Sequence, residues 1–418
     1  MRIGYACLAV GVPHTDMKSC MKKNVSMEKL SHLIAHNLES LDNLIGYNIK
    51  SGISLFRISS DLIPFGSSSV NTLSWQQIFC SRLEAIGQKI TNSGMRVSMH
   101  PGQYTVLNSP KPEVVQRAVD DLHYHAFVLD SMGLSLQHKI VLHIGGGYGD
   151  KKTSKARFLA HCAYLDASVM QRLVLENDDR VFHIEDVLET GHVLGLPVVY
   201  DHLHNTANPC GLRKHHEHWI TCCKETWKPK DGCQKIHYSQ QDQSKQPGAH
   251  SFTISIAPFM DFYKSVETKD VDIMLEVKDK NLSAIKCINC TAGGKTMNTL
   301  EAEWRRYKYA VLERSQAEYL KIRALLKDKN AYPAVPFYTH IETALSKPLK
   351  QGDALNAAQH VWGYFKKAAT ANEKAVFYGL IDNYQRGTIP IERVKKWLFR
   401  LAVKYGETYL LDALYFSF

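Results

Sequence analysis

Histidines and carboxylates recur in this chain where short apolar runs end. VSMH ends at His100, KIVLH at His143, and LVLEN delivers Glu176. VVYDHLH supplies Asp201 and His204, KIHYSQ supplies His237, PGAH supplies His250, and IMLEV supplies Glu276. Imidazoles and carboxylates aimed at one point repel or compete unless cations bind them. This donor set suits zinc, manganese or iron. Two or three divalent ions about 4 Å apart are matched to phosphodiester hydrolysis, because one lowers the pKa of water and another stabilises the leaving oxygen. Each residue alone has a plainer explanation, such as a hydrogen-bonded strand-end histidine or a helix-capping carboxylate. It is the set that asks for metal.

The elements that must position these residues are legible from periodicity. Candidate strands cover 3–8, 55–59, 97–100, 140–144, 173–176, 198–201, 236–238 and 273–277. Amphipathic stretches such as 27–48, 75–93 and 112–132 lie between them. Eight strands alternating with helices predict an α/β fold, a (β/α)8 TIM barrel, whose strand ends converge on one face. A doubly wound open sheet is the alternative, but no G-x-G-x-x-G follows the first strand. Barrel sugar isomerases use similar ligands, so the cluster by itself leaves hydride or proton shifts open. From Glu301 the strand pattern stops, and helices are expected over 301–326, 336–346, 356–369, 373–385 and 391–405. The chain therefore divides into a barrel, 1–300, and an all-α C-terminal module, 301–418.

Composition narrows the partners. The net charge is +10, and residues 301–418 hold 19 Lys and Arg against 12 Asp and Glu. A basic excess suits a polyanion, since Lys and Arg release counterions from phosphates. No apolar run approaches the roughly 20 residues of a membrane helix. The opening MRIGYACLAVGVPH is a poor signal peptide, broken at Pro13. A cytoplasmic protein that binds no membrane is expected. The ten cysteines are scattered, and the lone pair Cys287 and Cys290 reads as reduced thiols.

The motifs GYAC, FRISSDLIPF, SMHPGQYTVLNS, LHIGGGYGDK, LENDD, DHLHNTANP, KIHYSQQD, PGAHSF and IMLEVKDK run in order over roughly residues 1–285. They resemble those of the UV-damage endonuclease family, and SMHPGQY followed by LENDD is highly specific. The resemblance implies a barrel related to apurinic endonucleases. Its site is usually filled with manganese, with zinc or magnesium as alternatives. Its substrate is damaged double-stranded DNA, incised 5′ of UV photoproducts and some abasic sites.

By the same resemblance His100 and His143 hold one metal, and Glu176 bridges to a second. Asp201, His237 and Glu276 complete the second, and His204 and His250 hold a third. Glu176 and Lys235 are the catalytic candidates. Lys235 matches a lysine that can be carboxylated, with an ordinary strand lysine as the alternative reading. Gln103 and Tyr104 match residues that probe the helix at the lesion, and Tyr5 matches a further damage-site residue. An aromatic wedge filling the space of extruded bases offsets part of their unstacking; a buried tyrosine and a polar loop glutamine are the plainer alternative.

One departure stands out. Some relatives carry a ligand histidine after the IPF motif, where this chain has GSSSV and the matching position is Ser68. Serine is a poor ligand, and neither His14 nor His202 substitutes by position.

In the tail, NAAQHVWGYFKK, YQRGTIPIERV and YLL resemble a helical domain of uncharacterised function found on other bacterial proteins. Trp362, Tyr364 and Phe365 read as core, and the tail is expected to bind DNA or another protein. The competing functions are an apurinic endonuclease, a barrel sugar isomerase, and a damage-binding protein without turnover.

Overall fold

The eight apolar runs become eight short parallel strands in a computed structural model that describes residues 1–211 and 214–418. They are β1 (Ile3–Ala6), β2 (Leu55–Ile58), β3 (Arg96–Met99), β4 (Lys139–His143), β5 (Leu173–Glu176), β6 (Val198–Asp201), β7 (Lys235–Tyr238) and β8 (Asp272–Leu275). Each pairs with its sequence neighbours and β8 returns to β1, closing the expected barrel. Parallel strands wrapped in helices are buried on both faces, which is why these runs read as continuous rather than alternating hydrophobicity. The helix Met27–Lys50 shows how the wrapping is encoded. Ser26 caps it by accepting from the Lys29 amide at 3.2 Å, and Leu30, Ile34, Leu38, Leu41 and Ile45 form its buried stripe.

Side chains two residues apart share a face of a strand. Val141, Val174 and Val199 therefore lie on the same face as His143, Glu176 and Asp201, and the three valines pack together with Trp227 against them. Further towards the strand beginnings the interior turns ionic. Arg96 pairs with Asp272 at 3.0 Å and donates to the Asp231 carbonyl at 2.8 Å, and Lys139 pairs with the Asp231 carboxylate. Apolar packing thus separates a buried ionic base from the polar cluster at the strand ends.

The chain forms two compact units, Met1–Ile254 with Asp261–Ile285, and Ser255–Met260 with Lys286–Phe418. The second unit is helical. The helix expected over 301–326 is two, Met297–Leu312 and Gln316–Leu325, because Ser315 accepts from the Glu318 amide at 3.3 Å and starts a new N-terminus. S-Q-A-E at 315–318 is a capping signature that an unbroken amphipathic pattern hides. Trp362 and Phe365 belong to this unit's core, and Trp362 stacks on Phe377 at 4.3 Å. Tyr364 instead reaches the surface, stacked on Tyr409 at 5.6 Å. No helix among the described residues is long and apolar enough to cross a membrane.

The ionic base makes a stability prediction. Asp231→Ala would leave the buried Lys139 amine with only the Gln171 carbonyl, 2.8 Å away. Breaking a buried pair on one side costs about 3–5 kcal/mol. Urea unfolding followed by tryptophan fluorescence should show a clearly lower midpoint, and an unchanged midpoint would mean that Lys139 is satisfied without Asp231.

Candidate metal centre

Each strand from β4 to β7 brings a ligand-type residue to the C-terminal end of the barrel, and β3 and β8 lead directly into two more, His100 and Glu276. The register sets Glu176 beside His143 across β4–β5, and His237 beside Asp201 across β6–β7. Three sets result, each with its donor atoms within 4.8 Å of one another: His100, His143 and Glu176; Glu176, Asp201 and His204; and Glu176, His237 and Glu276. Glu176 is common to all three. Its Oε2 lies 3.1 Å from His100 Nε2 and 3.5 Å from His143 Nε2. Its Oε1 lies 2.7 Å from His237 Nδ1 and 3.9 Å from His204 Nδ1. His250 stands at the margin, its Nε2 3.8 Å from Glu276 Oε2. The grouping differs from the expected one: Asp201 falls with His204 instead of with His237 and Glu276, Glu176 joins that third set as well, and His250, expected beside His204, is in none of the three.

The electrostatics show how crowded this end is. Burial alone would raise the Glu176 carboxyl, but His237 and His143 hold it well below the usual carboxylate range. Burial raises Asp201; His204 opposes this and Glu176 adds to it. Burial brings His100 down to about 4 against the pull of Glu176. His204 goes the other way: burial works against its charge, yet Asp201 and Glu176 raise it to about 9. Two buried atoms at the centre, Asp201 Oδ2 and His237 Nε2, have no hydrogen-bond partner among the described residues. A buried acceptor and a buried ring nitrogen left open, beside carboxylates that cannot all stay charged in isolation, fit a divalent cation.

A second tier of contacts fixes the ligands' orientation. Asn177 donates to the Asp201 carbonyl at 3.1 Å and accepts from the Asp201 amide at 2.9 Å, while its own carbonyl lies 3.0 Å from His204 Nδ1. Ser60 donates to the His100 carbonyl at 2.7 Å, and His125 Nε2 lies 2.9 Å from the Ser60 hydroxyl. Arg57, on β2, pairs with Glu276. Burial opposes the Arg57 charge, but Glu276 more than offsets it. Sequence reading passed over Arg57, although an arginine inside the apolar run LFRI was a signal.

The other candidates separate. Lys235 is buried on β7, two residues before His237, and its Nζ has no hydrogen-bond partner among the described residues. Burial, then Arg96 and Arg57, bring that amine down to about 7. Gln103 and Tyr104 lie exposed on the loop after β3, with Tyr104 82% accessible. Tyr5 does not join them. It is fully buried, its ring edge against Phe56 and its hydroxyl donating to Asn48 at 2.8 Å, so in this conformation it cannot meet a lesion. Ser68 accepts from the Val70 amide at 3.3 Å within its own turn and is in none of the three sets. His202 is stacked on Tyr238, and neither it nor His14 is a member either.

Known proteins share this architecture. Residues 1–304 match the family model described as UV-endonuclease UvdE, and residues 308–418 match a family of proteins of unknown function, DUF1722. A UV DNA damage endonuclease of Clostridium perfringens is 38% identical over 411 residues, 97% of this chain and 96% of that protein. One from Bacillus cereus is 31% identical over 300 residues, 69% of this chain and 94% of that protein. The crystal structure of SacUVDE superposes with a TM-score of 0.66 at 36% identity, covering 69% of this chain and 97% of that one.

The raised His204 gives a pH prediction. Its pKa moves from 6.5 to about 9 in the folded chain, so its pairing stabilises fully below 6.5 and is lost as pH rises through about 9. Chelator-treated protein should therefore melt at progressively lower temperature across that window. His204→Asn should flatten the decline, leaving the part due to His237, which is raised in the same direction. An identical slope in the variant would remove His204 as its cause.

Proposed function

This chain belongs to the UV-endonuclease UvdE family, and from that premise we propose that it hydrolyses the phosphodiester 5′ of UV photoproducts, and of some abasic sites, using two or three divalent metal ions. The observation that carries the reading is the single carboxylate, Glu176, shared by three ligand sets at the end of a barrel where active sites are found. His100 and His143 would hold one ion with Glu176, His237 and Glu276 a second, and Asp201 and His204 a third, with His250 completing the margin. Manganese is the favoured ion, with zinc or magnesium as the alternatives. Bound there, such ions supply Lewis-acid stabilisation of the charge that builds on a phosphodiester in hydrolysis, and acidify water.

The protein's own part is positioning. Glu176 keeps the sets at one spacing, and Arg57 holds Glu276 in its charged form for its set. Lys235 has an amine in the barrel interior with no hydrogen-bond partner among the described residues, which suits carboxylation: carbon dioxide adds to the neutral nitrogen, one proton leaves, and the carbamate brings a negative charge beside the ligands. Gln103 and Tyr104, exposed on the loop after the His100 strand, are placed to read the duplex and take no part in bond cleavage. Tyr104 offers a flat face to unstacked bases, and Gln103 both donates and accepts.

The helical tail is assigned a supporting role in DNA binding. The helix Ile391–Tyr405 turns Arg393, Lys396 and Arg400 outward at helical spacing, beside exposed Phe399. A positive stripe of this kind takes phosphates without reading sequence.

Two measurements test this. An end-labelled photoproduct duplex, incubated with each divalent metal in turn, should be cut on the 5′ side by the wild type. Glu176→Gln should cut roughly 100- to 1,000-fold more slowly, on the order of the loss seen when an essential charge-stabilising group is removed. Binding without incision in the wild type would favour a damage-binding protein. For the tail, replacing Arg393, Lys396 and Arg400 together with Gln should make the salt dependence of duplex binding shallower by about 0.9 for each phosphate no longer neutralised. An unchanged slope would point the tail towards a protein partner.

A further inference from the structure

The loop after β4 carries a second surface aromatic, one that neither the metal centre nor Tyr104 accounts for. Tyr148 is 50% exposed, and its backbone sits in the left-handed region at φ 46°. Few non-glycine residues adopt this conformation, and it costs free energy that packing must normally offset. Here half the ring is in solvent. The half-buried Arg157 guanidinium lies 5.6 Å from the ring centre, and a contact of this kind at the surface contributes little. The strain is therefore not explained by core packing.

The surroundings are nonetheless built to hold this ring. Gly145 has φ 114°, and a side-chain carbon there would fall 2.3 Å from Asn108 Oδ1. Asn108 is at the far end of the loop that carries Tyr104, and its amide donates to the Gly146 carbonyl at 2.7 Å. Arg157 donates from Nε to the Asn108 carbonyl and from its terminal nitrogen to the Ser154 hydroxyl, both at 2.9 Å. Ser154 donates to the Gly147 carbonyl at 2.7 Å. Gly146 leaves room for the ring, since a side-chain carbon there would sit 3.1 Å from it. The loops after β3 and β4 are thus tied into one piece that presents two exposed tyrosines, Tyr104 and Tyr148. Both loops follow strands that lead into His100 and His143.

We propose that Tyr148 is a second DNA contact, a fixed stacking face for a base or deoxyribose of the duplex beside the lesion. The proposal rests on the reading of the chain as a DNA endonuclease. Arg157 braces one side of the ring and the strained backbone sets its direction, so little conformational freedom is lost when DNA arrives. Tyr148 is a binding residue here and touches no reacting atom.

The test uses the full chain, a fluorescent duplex bearing one thymine dimer, and its undamaged twin. Binding is read by anisotropy and incision by KM and kcat, for wild type, Tyr148→Leu, Tyr148→Phe and, for comparison, Tyr104→Ala. Tyr148→Leu should weaken binding of the dimer duplex by roughly 5- to 150-fold, the range for removal of one base–aromatic stack. KM should rise, with kcat, metal content and melting temperature unchanged. Tyr148→Phe keeps the ring and should bind within about twofold of wild type. The proposal is overturned if Tyr148→Leu binds as wild type does. It is equally overturned if Tyr148→Phe and Tyr148→Leu lose metal or stability together, which would make the residue structural. A wild type that neither prefers nor incises the dimer duplex would bring down the endonuclease reading, and this proposal with it.

Discussion

The barrel's C-terminal end is organised around one carboxylate that more groups approach than it can serve. Glu176 faces four imidazoles with two oxygens and is almost wholly buried. In a low-dielectric interior such a group must be neutralised by what surrounds it, since an uncompensated buried charge is very costly. The rest of the site follows from that need. Glu276 and Asp201 are carboxylates that add to the charge, Arg57 takes up part of it, and His204 is driven to carry a proton. Metal ions and protons compete for the same atoms. A centre assembled in this way is matched to cations and poorly matched to remaining without them.

Much of this was legible because barrel geometry turns a one-dimensional pattern into a point. A ligand-type residue at the end of one strand says little. The same ending on successive strands says that their side chains meet, provided the sheet closes, and β8 pairing with β1 is that closure. Parity was the weak link. Strands buried on both faces give no alternation to show which residues point inwards. Tyr5 illustrates the consequence: its match to a lesion-contacting residue said nothing of burial, and its hydroxyl is spent on Asn48. Arg57 illustrates the converse, a charge inside an apolar run that only the register of β2 explains. The partners of the ligands were invisible for a different reason. Ser60, His125 and Asn177 act through a few hydrogen bonds between segments up to 65 residues apart, and residue spacing does not encode those.

The barrel interior also divides its labour along the strands. The ionic base around Arg96, Asp272, Lys139 and Asp231 is fully paired, and each charge there has a protein partner. The cluster at the other end is left with open atoms. The three valines lie between them on the same faces. Buried charge that is satisfied internally serves the fold, whereas buried charge that is left open is available to a ligand. Lys235 is the exception that links the two. It is an amine in the barrel interior without a hydrogen-bond partner among the described residues, so its charge state depends on burial first, then on Arg96 and Arg57 as well as on the carboxylates.

Reading a lesion and cutting a phosphodiester place opposite demands on a protein surface. Cutting requires ligands held within tenths of an ångström, which here is achieved by burial and by backbone hydrogen bonds on strands. Reading requires side chains that reach into solvent, and Tyr104 does so from the loop directly after His100. On the proposed reading the two tasks share a loop, and a rigid strut is needed to keep one from disturbing the other. Thr105 supplies it. Its hydroxyl donates to Asp121 at 2.6 Å, one residue past Tyr104, and the Asp121 carbonyl lies 2.6 Å from His125 Nδ1. His125 in turn meets Ser60, which holds the His100 carbonyl. The chain of contacts anchors the loop on both sides of Gln103 and Tyr104, so these two project while the ligand beside them stays fixed. Under the proposed function, lesion contact could then be tuned through side chains without moving the candidate metal centre, and that separation would let one short loop serve both ends of the reaction.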